Sequence, residues 1–405
     1  MLNILVIAPW LPWPPHDGAR IRIGETLRFL ARRHRVTLVA PIYAPGERDD
    51  VPNLERWCAG GVHAVAVSDG TVARLTRMSG GFFAGVPPVQ AFHRSAAMRE
   101  CIRRVTSDTA FDIVQLELSF LAHYLRAVNR RGGPKTVLSM HNVETQRFDR
   151  ELERAPWNAR RLVLLADRYL FPGWEGRALR SVDGVVAVSE ADAAWIRSQA
   201  PDAALRIVRN GVDVDFFGPR RTPAKSTSVV FTGSMDYPPN IDAAVWFADE
   251  IFPGLRERLP QLRFVVVGRR PPAEVQALAA RPGIDVTGEV DDVRPYISDA
   301  LALVVPLRSG GGTRLKILQA MSMACPVVST TVGAEGLEVA DSENILLADT
   351  PRHLSDSVVR LANSPELAER IAQAGRQLAV QRYDWTQCLQ GLDDLYHTML
   401  ATGRH

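Results

Sequence analysis

The feature that most constrains this chain is a regular alternation of short β-branched runs with longer stretches of helical period. Parallel strands cannot be joined by tight hairpins, so this pattern reads as βαβ units, with crossover helices covering a parallel sheet. A first series of strands is expected at Ile4–Ala8, Val36–Ala40, Val62–Val67, Ile113–Leu116, Thr136–Met140, Val185–Val188 and Leu205–Val208. A second is expected at Val229–Thr232, Phe264–Val267, Ile284–Thr287, Leu301–Val305, Val327–Thr330 and Ile345–Leu347. Helical segments fall between most of them, including Gly18–Arg33 and Asn158–Arg180. The fold class is therefore α/β, with two Rossmann-like, doubly wound sheets. Residues 217–228 are rich in Gly, Pro and small polar side chains, the composition of a linker. This predicts a first domain over 1–216, a second over 229–383, and a terminal helical segment over 384–405.

At 405 residues, 46% of them hydrophobic and 23% charged, the chain can fill two ordinary cores. A formal charge of +3 is too small to indicate nucleic acid, and nothing concentrates Lys and Arg among aromatics as such binding requires. Cys58, Cys101, Cys325 and Cys388 lie far apart, outside any metal-binding or disulfide spacing, which fits a reducing cytoplasm. The apolar run at residues 3–8 is too short for a signal peptide, and no stretch approaches the ~18 apolar residues of a membrane span. The protein is expected in the cytoplasm, with any membrane contact peripheral.

Open parallel sheets bind ligands at the carboxyl ends of their strands. The residues there are Asp17-Gly18, His141-Asn142, Ser189-Glu190 and Asn210-Gly211 in the first half, and Gly233, Gly268, the 309–313 run and Glu335 in the second. The strongest local signal is Pro306-Leu-Arg-Ser-Gly-Gly-Gly-Thr-Arg-Leu-Lys-Ile-Leu-Gln-Ala-Met321, in which Gly310, Gly311 and Gly312 follow a strand and open a helix through Thr313. Such an opening directs unpaired backbone N–H groups and the positive end of the helix dipole at an anion. Arg308, Arg314 and Lys316 surround it and would stabilise a departing diphosphate. The same residues would also make a flexible turn with solvated cations. The stretch is neither a Walker loop nor GxGxxG.

Here the chain resembles the retaining glycosyltransferases of family 4, which have the GT-B fold. Arg209-Asn-Gly-Val-Asp213, Val230-Phe-Thr-Gly-Ser234, Leu318-Gln-Ala-Met-Ser-Met-Ala-Cys-Pro-Val-Val-Ser-Thr330 and Tyr383-Asp-Trp385 carry the resemblance in their order and spacing. It looks most like the subset linked to bacterial exopolysaccharide or surface-glycan assembly. The resemblance implies two domains facing across a cleft, with the second half holding a nucleotide-diphosphate sugar and the first half the glycan or lipid-linked acceptor. The terminal helix would cross back to the first domain. No cofactor and no metal are implied, and Asp213-Val-Asp215 reads as a turn near the linker.

By the same resemblance, His141 lies beside the sugar and diphosphate, although a turn histidine at a strand end is the other reading. Asp17 and Gly18 match the loop through which the first domain approaches phosphate and acceptor, Asn142 follows His141, and Glu144 is either an acceptor-side group or a helix N-terminal acid. Two departures stand out. The family's pair of glutamates falls at Gly311 and Gln319, and its Arg and Lys after the first strand of the second domain fall near Ser234 and at Pro239 or Asn240. Gln319 keeps hydrogen bonding to a ribose, Glu335 is a candidate replacement for the missing carboxylate or else a surface-loop acid, and diphosphate neutralisation passes to Arg314, Lys316 or Arg308. Arg20, Arg22, Arg28, Arg32, Arg33 and Arg35, with the apolar loop 80–88, mark an anionic membrane surface as a candidate partner or else a solvated helix face. The expected activity is sugar transfer from a nucleotide sugar, with a non-catalytic nucleotide-sugar-binding or scaffold subunit and a nucleotide-sugar epimerase of the same fold as alternatives.

Overall fold

The computed structural model describes residues 1–15, 17–67, 71–129, 133–152, 157–219, 227–310 and 314–402. It divides into two compact units, Met1–Arg209 with Cys388–His405, and Asn210–Gln387.

The first unit is built on strands β1 (Asn3–Ile7), β2 (Arg35–Ile42), β3 (Gly61–Ala66), β4 (Ile113–Glu117), β5 (Lys135–Ser139), β6 (Gly184–Ala187) and β7 (Ala204–Ile207). They form one sheet in the order β3-β2-β1-β4-β5-β6-β7, and every pairing is parallel. The second unit uses β8 (Ser228–Thr232), β9 (Arg263–Val267), β10 (Ile284–Gly288), β11 (Ala302–Val305), β12 (Val327–Ser329) and β13 (Leu346–Leu347). Their order is β10-β9-β8-β11-β12-β13, again all parallel. All the strands expected from the sequence are present, because strands covered on both faces must be apolar along their length. β4, β6 and β11 are buried at every position.

In each sheet the strand order reverses once, between β1 and β4 and between β8 and β11. At such a switch point neighbouring connections leave in opposite directions and open a crevice at the carboxyl edge. Each unit therefore has one such place, and the candidate site residues cluster around these two.

The division falls at Arg209/Asn210, ahead of the 217–228 segment. The physical reason is local: Val212 N donates to Tyr383 O, Trp385 N donates to Val212 O, and a side chain at Gly211 would stand 2.7 Å from the Tyr383 carbonyl oxygen. Residues 210–216 are thereby stitched to the second unit. Asp213 is the turn group of this stretch, its Oδ1 accepting from the backbone N–H groups of Asp215 and Phe216. The terminal helix runs Trp385–Thr402, and Leu389, Leu392, Leu395, Tyr396 and Met399 form its buried stripe.

Two expectations about the basic face are corrected. Arg22 is only 2% exposed, with Nη2 donating to the Val208 carbonyl at 3.0 Å, so it belongs to the core and not to a solvent face. The segment 80–88 is not one loop, since Gly80–Phe83 completes the helix Thr71–Phe83 and Pro88 opens another, Pro88–Phe92. Phe83 remains 89% exposed.

Candidate active site

In the first unit, the carboxyl ends of β4 and β5 bring together Glu117 and His141. Glu117 closes β4, and the chain then turns sharply through Leu118, a non-glycine residue at φ 79°. Backbone held in this region costs energy and tends to occur where a side chain must be aimed. His141 follows β5 and is 6% exposed, and its Nε2 lies 2.7 Å from Glu117 Oε2. Burial works to raise the Glu117 carboxyl, but the His141 and Gln115 hydrogen bonds and the nearby Arg22 guanidinium outweigh it and hold the group below the ordinary carboxylate range.

Asp17 caps the first helix, Gly18–Ala31, accepting from Arg20 N at 3.0 Å and pairing with the Arg20 guanidinium at 2.7 Å. Asn142 is half-buried beside His141. Glu144 is buried and opens the helix Glu144–Leu152, where its carboxylate is held by Arg147 at 2.6 Å. The N–H groups of Glu144 and Thr145 donate to Glu175, which also accepts from the Thr145 and Ser119 hydroxyls. Burial pushes the Glu175 carboxyl up to about 7 against these bonds.

In the second unit the carboxyl edge of β8 and β11 gathers Gly233, Asn240, Arg314 and Lys316. The helix Leu315–Ser322 carries Lys316 and Gln319, with Arg314 at its N-cap. Lys316 Nζ donates to Asn240 Oδ1 at 3.0 Å and sits 4.2 Å from the centre of the Phe231 ring. No carboxylate pairs with it among the described residues. Burial, with Arg314 adding repulsion, pulls its ammonium down to about 7. Gly233 has to be glycine for a steric reason, since a Cβ there would lie 2.7 Å from Asn240 Nδ2 and 2.9 Å from Lys316 Nζ. Arg314 is 6% exposed and donates to the Val332 carbonyl at 3.3 Å.

Gly310 borders this group, a Cβ there falling 3.2 Å from Arg314 Nη1. Arg308 is turned to Asp242 and stacks 4.9 Å from the Trp246 ring. Gly310 has φ 110°, a conformation suited to glycine. Gln319 is half-buried, and Glu335 is exposed in the turn after β12. Gly311, Gly312 and Thr313 lie outside the described residues.

Sequence reading missed three contributors. Glu117 looks like an ordinary β4 residue until the sheet order places it at the switch point. Asn240 takes the Lys316 ammonium from a helix start. Arg269, after β9, donates to Ser234 Oγ at 3.0 Å and so brings a cation to a position that is uncharged in sequence. Among the described residues one group has the composition of a metal site, His34, Asp393 and His397. Its chemistry is that of a latch: His34 Nδ1 accepts from Leu2 N at 3.2 Å, so Nε2 carries the proton and donates to Asp393 at 2.8 Å.

Residues 16–216 match Glycosyltransferase Family 4 and residues 226–364 match Glycosyl transferases group 1. The chain is a family 4 glycosyltransferase of the GT-B fold. Among relatives of this glycosyltransferase, a phosphatidyl-myo-inositol mannosyltransferase of Mycobacterium leprae is 27% identical over 95% of the chain and 92% of its own length. An uncharacterized 44.6 kDa protein in the cps region of Klebsiella pneumoniae is 20% identical over 95% and 97%. The crystal structure of Anabaena HepE in complex with UDP and glucose shares the fold, with a TM-score of 0.67, 14% identity and coverage of 98% and 100%. The enzyme is thus a hexosyltransferase-type glycosyltransferase. Among its described residues no helix is long and apolar enough to cross a membrane.

Proposed function

We propose that this glycosyltransferase takes a hexose from a nucleotide-diphosphate sugar and transfers it, with retention and without a metal, to a glycan or lipid-linked acceptor in bacterial surface-polysaccharide assembly. The observation that carries the donor part is Lys316. A half-buried ammonium held by an amide oxygen and an aromatic ring, beside Arg314 and opposite no carboxylate among the described residues, is arranged for an anion. A diphosphate supplies that anion, and its charge grows as the glycosidic bond breaks, so the cations favour the transition state over the ground state.

In this reading Arg314 and Lys316 receive the leaving diphosphate, with Gly233 and Gly310 giving close backbone approach. Gln319 meets the ribose, and Glu335 the transferred sugar. Arg308, committed to Asp242, plays a secondary part. His141 serves the sugar, and Asp17, Gly18, Asn142 and Glu144 shape the acceptor side. The acceptor hydroxyl attacks from the face the diphosphate leaves and gives up its proton to a departing phosphate oxygen. The HepE complex with UDP and glucose supports a uridine donor, and the cps-region and mannosyltransferase relatives support a surface-glycan acceptor. Exposed Arg32, Arg33 and Arg35, with Phe83, support docking on an anionic membrane.

The test is a panel of UDP-, GDP-, TDP- and ADP-sugars in chelator-treated buffer, scored for thermal stabilisation, slow donor hydrolysis and the anomeric configuration of the first product. One donor class is expected to stabilise the protein and be hydrolysed with retention. Stabilisation without turnover on any acceptor would instead make the chain a nucleotide-sugar-binding subunit, and interconversion of free donor sugars would make it an epimerase.

A further inference from the structure

Behind His141 a chain of buried polar groups runs through the core of the first unit to the terminal helix. Tyr396, on the helix Trp385–Thr402, donates its hydroxyl to Gln115 Oε1. Gln115 Nε2 donates to Glu117 Oε1 at 2.5 Å, and Glu117 Oε2 meets His141 Nε2 at 2.7 Å. Tyr396, Gln115 and Glu117 are 0% exposed. Interior strand positions such as Gln115 and Glu117 would ordinarily be apolar in a sheet covered on both faces.

The direction of every bond in this chain is set by chemistry. The Glu117 carboxyl is held below its ordinary range by its partners, so it is an acceptor-only carboxylate. The amide of Gln115 must then turn its NH2 to Glu117 and its oxygen to the tyrosine hydroxyl. Likewise His141 must present Nε2–H to Glu117, and in the neutral ring that places the lone pair on Nδ1. That Nδ1 is buried and, among the described residues, has no hydrogen-bond partner. Buried polar atoms without partners are uncommon in folded proteins. An acceptor nitrogen left this way inside a site calls for a ligand O–H, and a bare Nδ1 repels the lone pairs of a phosphoryl oxygen.

We propose that Tyr396, Gln115 and Glu117 are positioning residues that hold His141 in its Nε2–H form, with Nδ1 aimed to accept a hydrogen bond from a hydroxyl of the sugar substrate and not to donate to the diphosphate. The inference rests on the glycosyltransferase reading above for the identity of the ligand. It gives the terminal helix a part in the site beyond packing, because Tyr396 is the far anchor of the chain. The hydrogen bonds from His141 and Gln115 do most to keep the Glu117 carboxylate ionised, and the buried Arg22 guanidinium adds a smaller countercharge.

The experiment uses the full chain labelled with 15N-histidine at pH 8, with His141→Gln to assign the resonance. The expected spectrum shows a protonated Nε2 and an unprotonated Nδ1 for His141, with both tautomers populated in Tyr396→Phe and Glu117→Gln. In donor turnover, Glu117→Gln should lower kcat about 100-fold and Tyr396→Phe about 10-fold, the usual range for losing a group that orients a functional imidazole. KM should stay within about twofold, because the chain orients a group and does not bind the nucleotide. In a His141→Gln background, Glu117→Gln should cost nothing further. Tyr396→Phe keeps the ring in its place, so it tests the chain even where Glu117→Gln fails to fold. A wild-type spectrum with the proton on Nδ1, or an undiminished cost of Glu117→Gln in the His141→Gln background, overturns the proposal. If the wild type turns over no nucleotide sugar, the functional reading fails, while the spectrum still decides the tautomer.

Discussion

Replacing Lys316 by methionine keeps an unbranched chain of similar length and removes the ammonium, which separates what this residue does for the fold from what it does for the reaction. Burial first, and Arg314 second, bring its ammonium from the ordinary 10.5 down to about 7. In the unfolded chain the amine stays protonated up to about 10.5, so between these values the unfolded state holds more protons and wild-type stability rises with pH. At ~1.4 kcal/mol per tenfold, the charged amine costs the ligand-free fold about 5 kcal/mol at pH 6 and about 2 kcal/mol at pH 9. Methionine bears no such cost, while the loss of the bond to Asn240 subtracts roughly 1 kcal/mol at both pH values. Urea denaturation of the ligand-free proteins should therefore find Lys316→Met more stable than wild type by several kcal/mol at pH 6, with the gap shrinking by about 2.5 kcal/mol at pH 9. The same variant should lose turnover by about 100-fold or more, since one electrostatic donor to a leaving group is typically worth about 3 kcal/mol. A gap that does not change with pH would show that the amine is not desolvated. Normal turnover in the variant would remove Lys316 from the donor site.

Gly233→Ala drives a Cβ against Asn240 and Lys316, and it should cost about 1–3 kcal/mol of stability and abolish the thermal shift given by the preferred nucleotide sugar; a normal shift would place Lys316 outside the anion site. Glu175 has its carboxyl raised from 4.5 to about 7, chiefly by burial, so the folded state holds the extra proton and stability is lost as pH rises through 7. Glu175→Gln cannot ionise and should gain on wild type by about 2–3 kcal/mol between pH 5 and pH 8, and a constant difference in denaturation midpoints would contradict the burial argument. Charge reversal at Arg28 and Arg32 together with Phe83→Ser should weaken cosedimentation with anionic vesicles in a salt-sensitive way, and a wild type that does not sediment with them would end the membrane reading.

The sequence alone determined the layers of this enzyme. Runs such as Ile4–Ile7 and Leu303–Val305 are apolar without alternation, which only a strand covered on both faces requires, and the helical stretches between them leave parallel pairing as the one way to connect them. The same periodicity marked the terminal helix, and glycines at strand ends marked Gly233 and Gly310 as places of close approach. What the sequence could not carry was which strand lies beside which, and so which strand ends share a switch point. Glu117 sits in an apolar strand 24 residues from His141, and Tyr396 is 281 residues from Gln115. Only the neighbouring of β4 with β5, and the return of the terminal helix into the first unit, make one hydrogen-bonded chain of them. Lys316 and Asn240 are 76 residues apart, and only the pairing of β8 with β11 joins them. Local chemistry follows the chain through propensity and period. The partner of a buried charge is chosen by packing, because desolvation acts on whatever the fold brings near, whatever its distance in sequence.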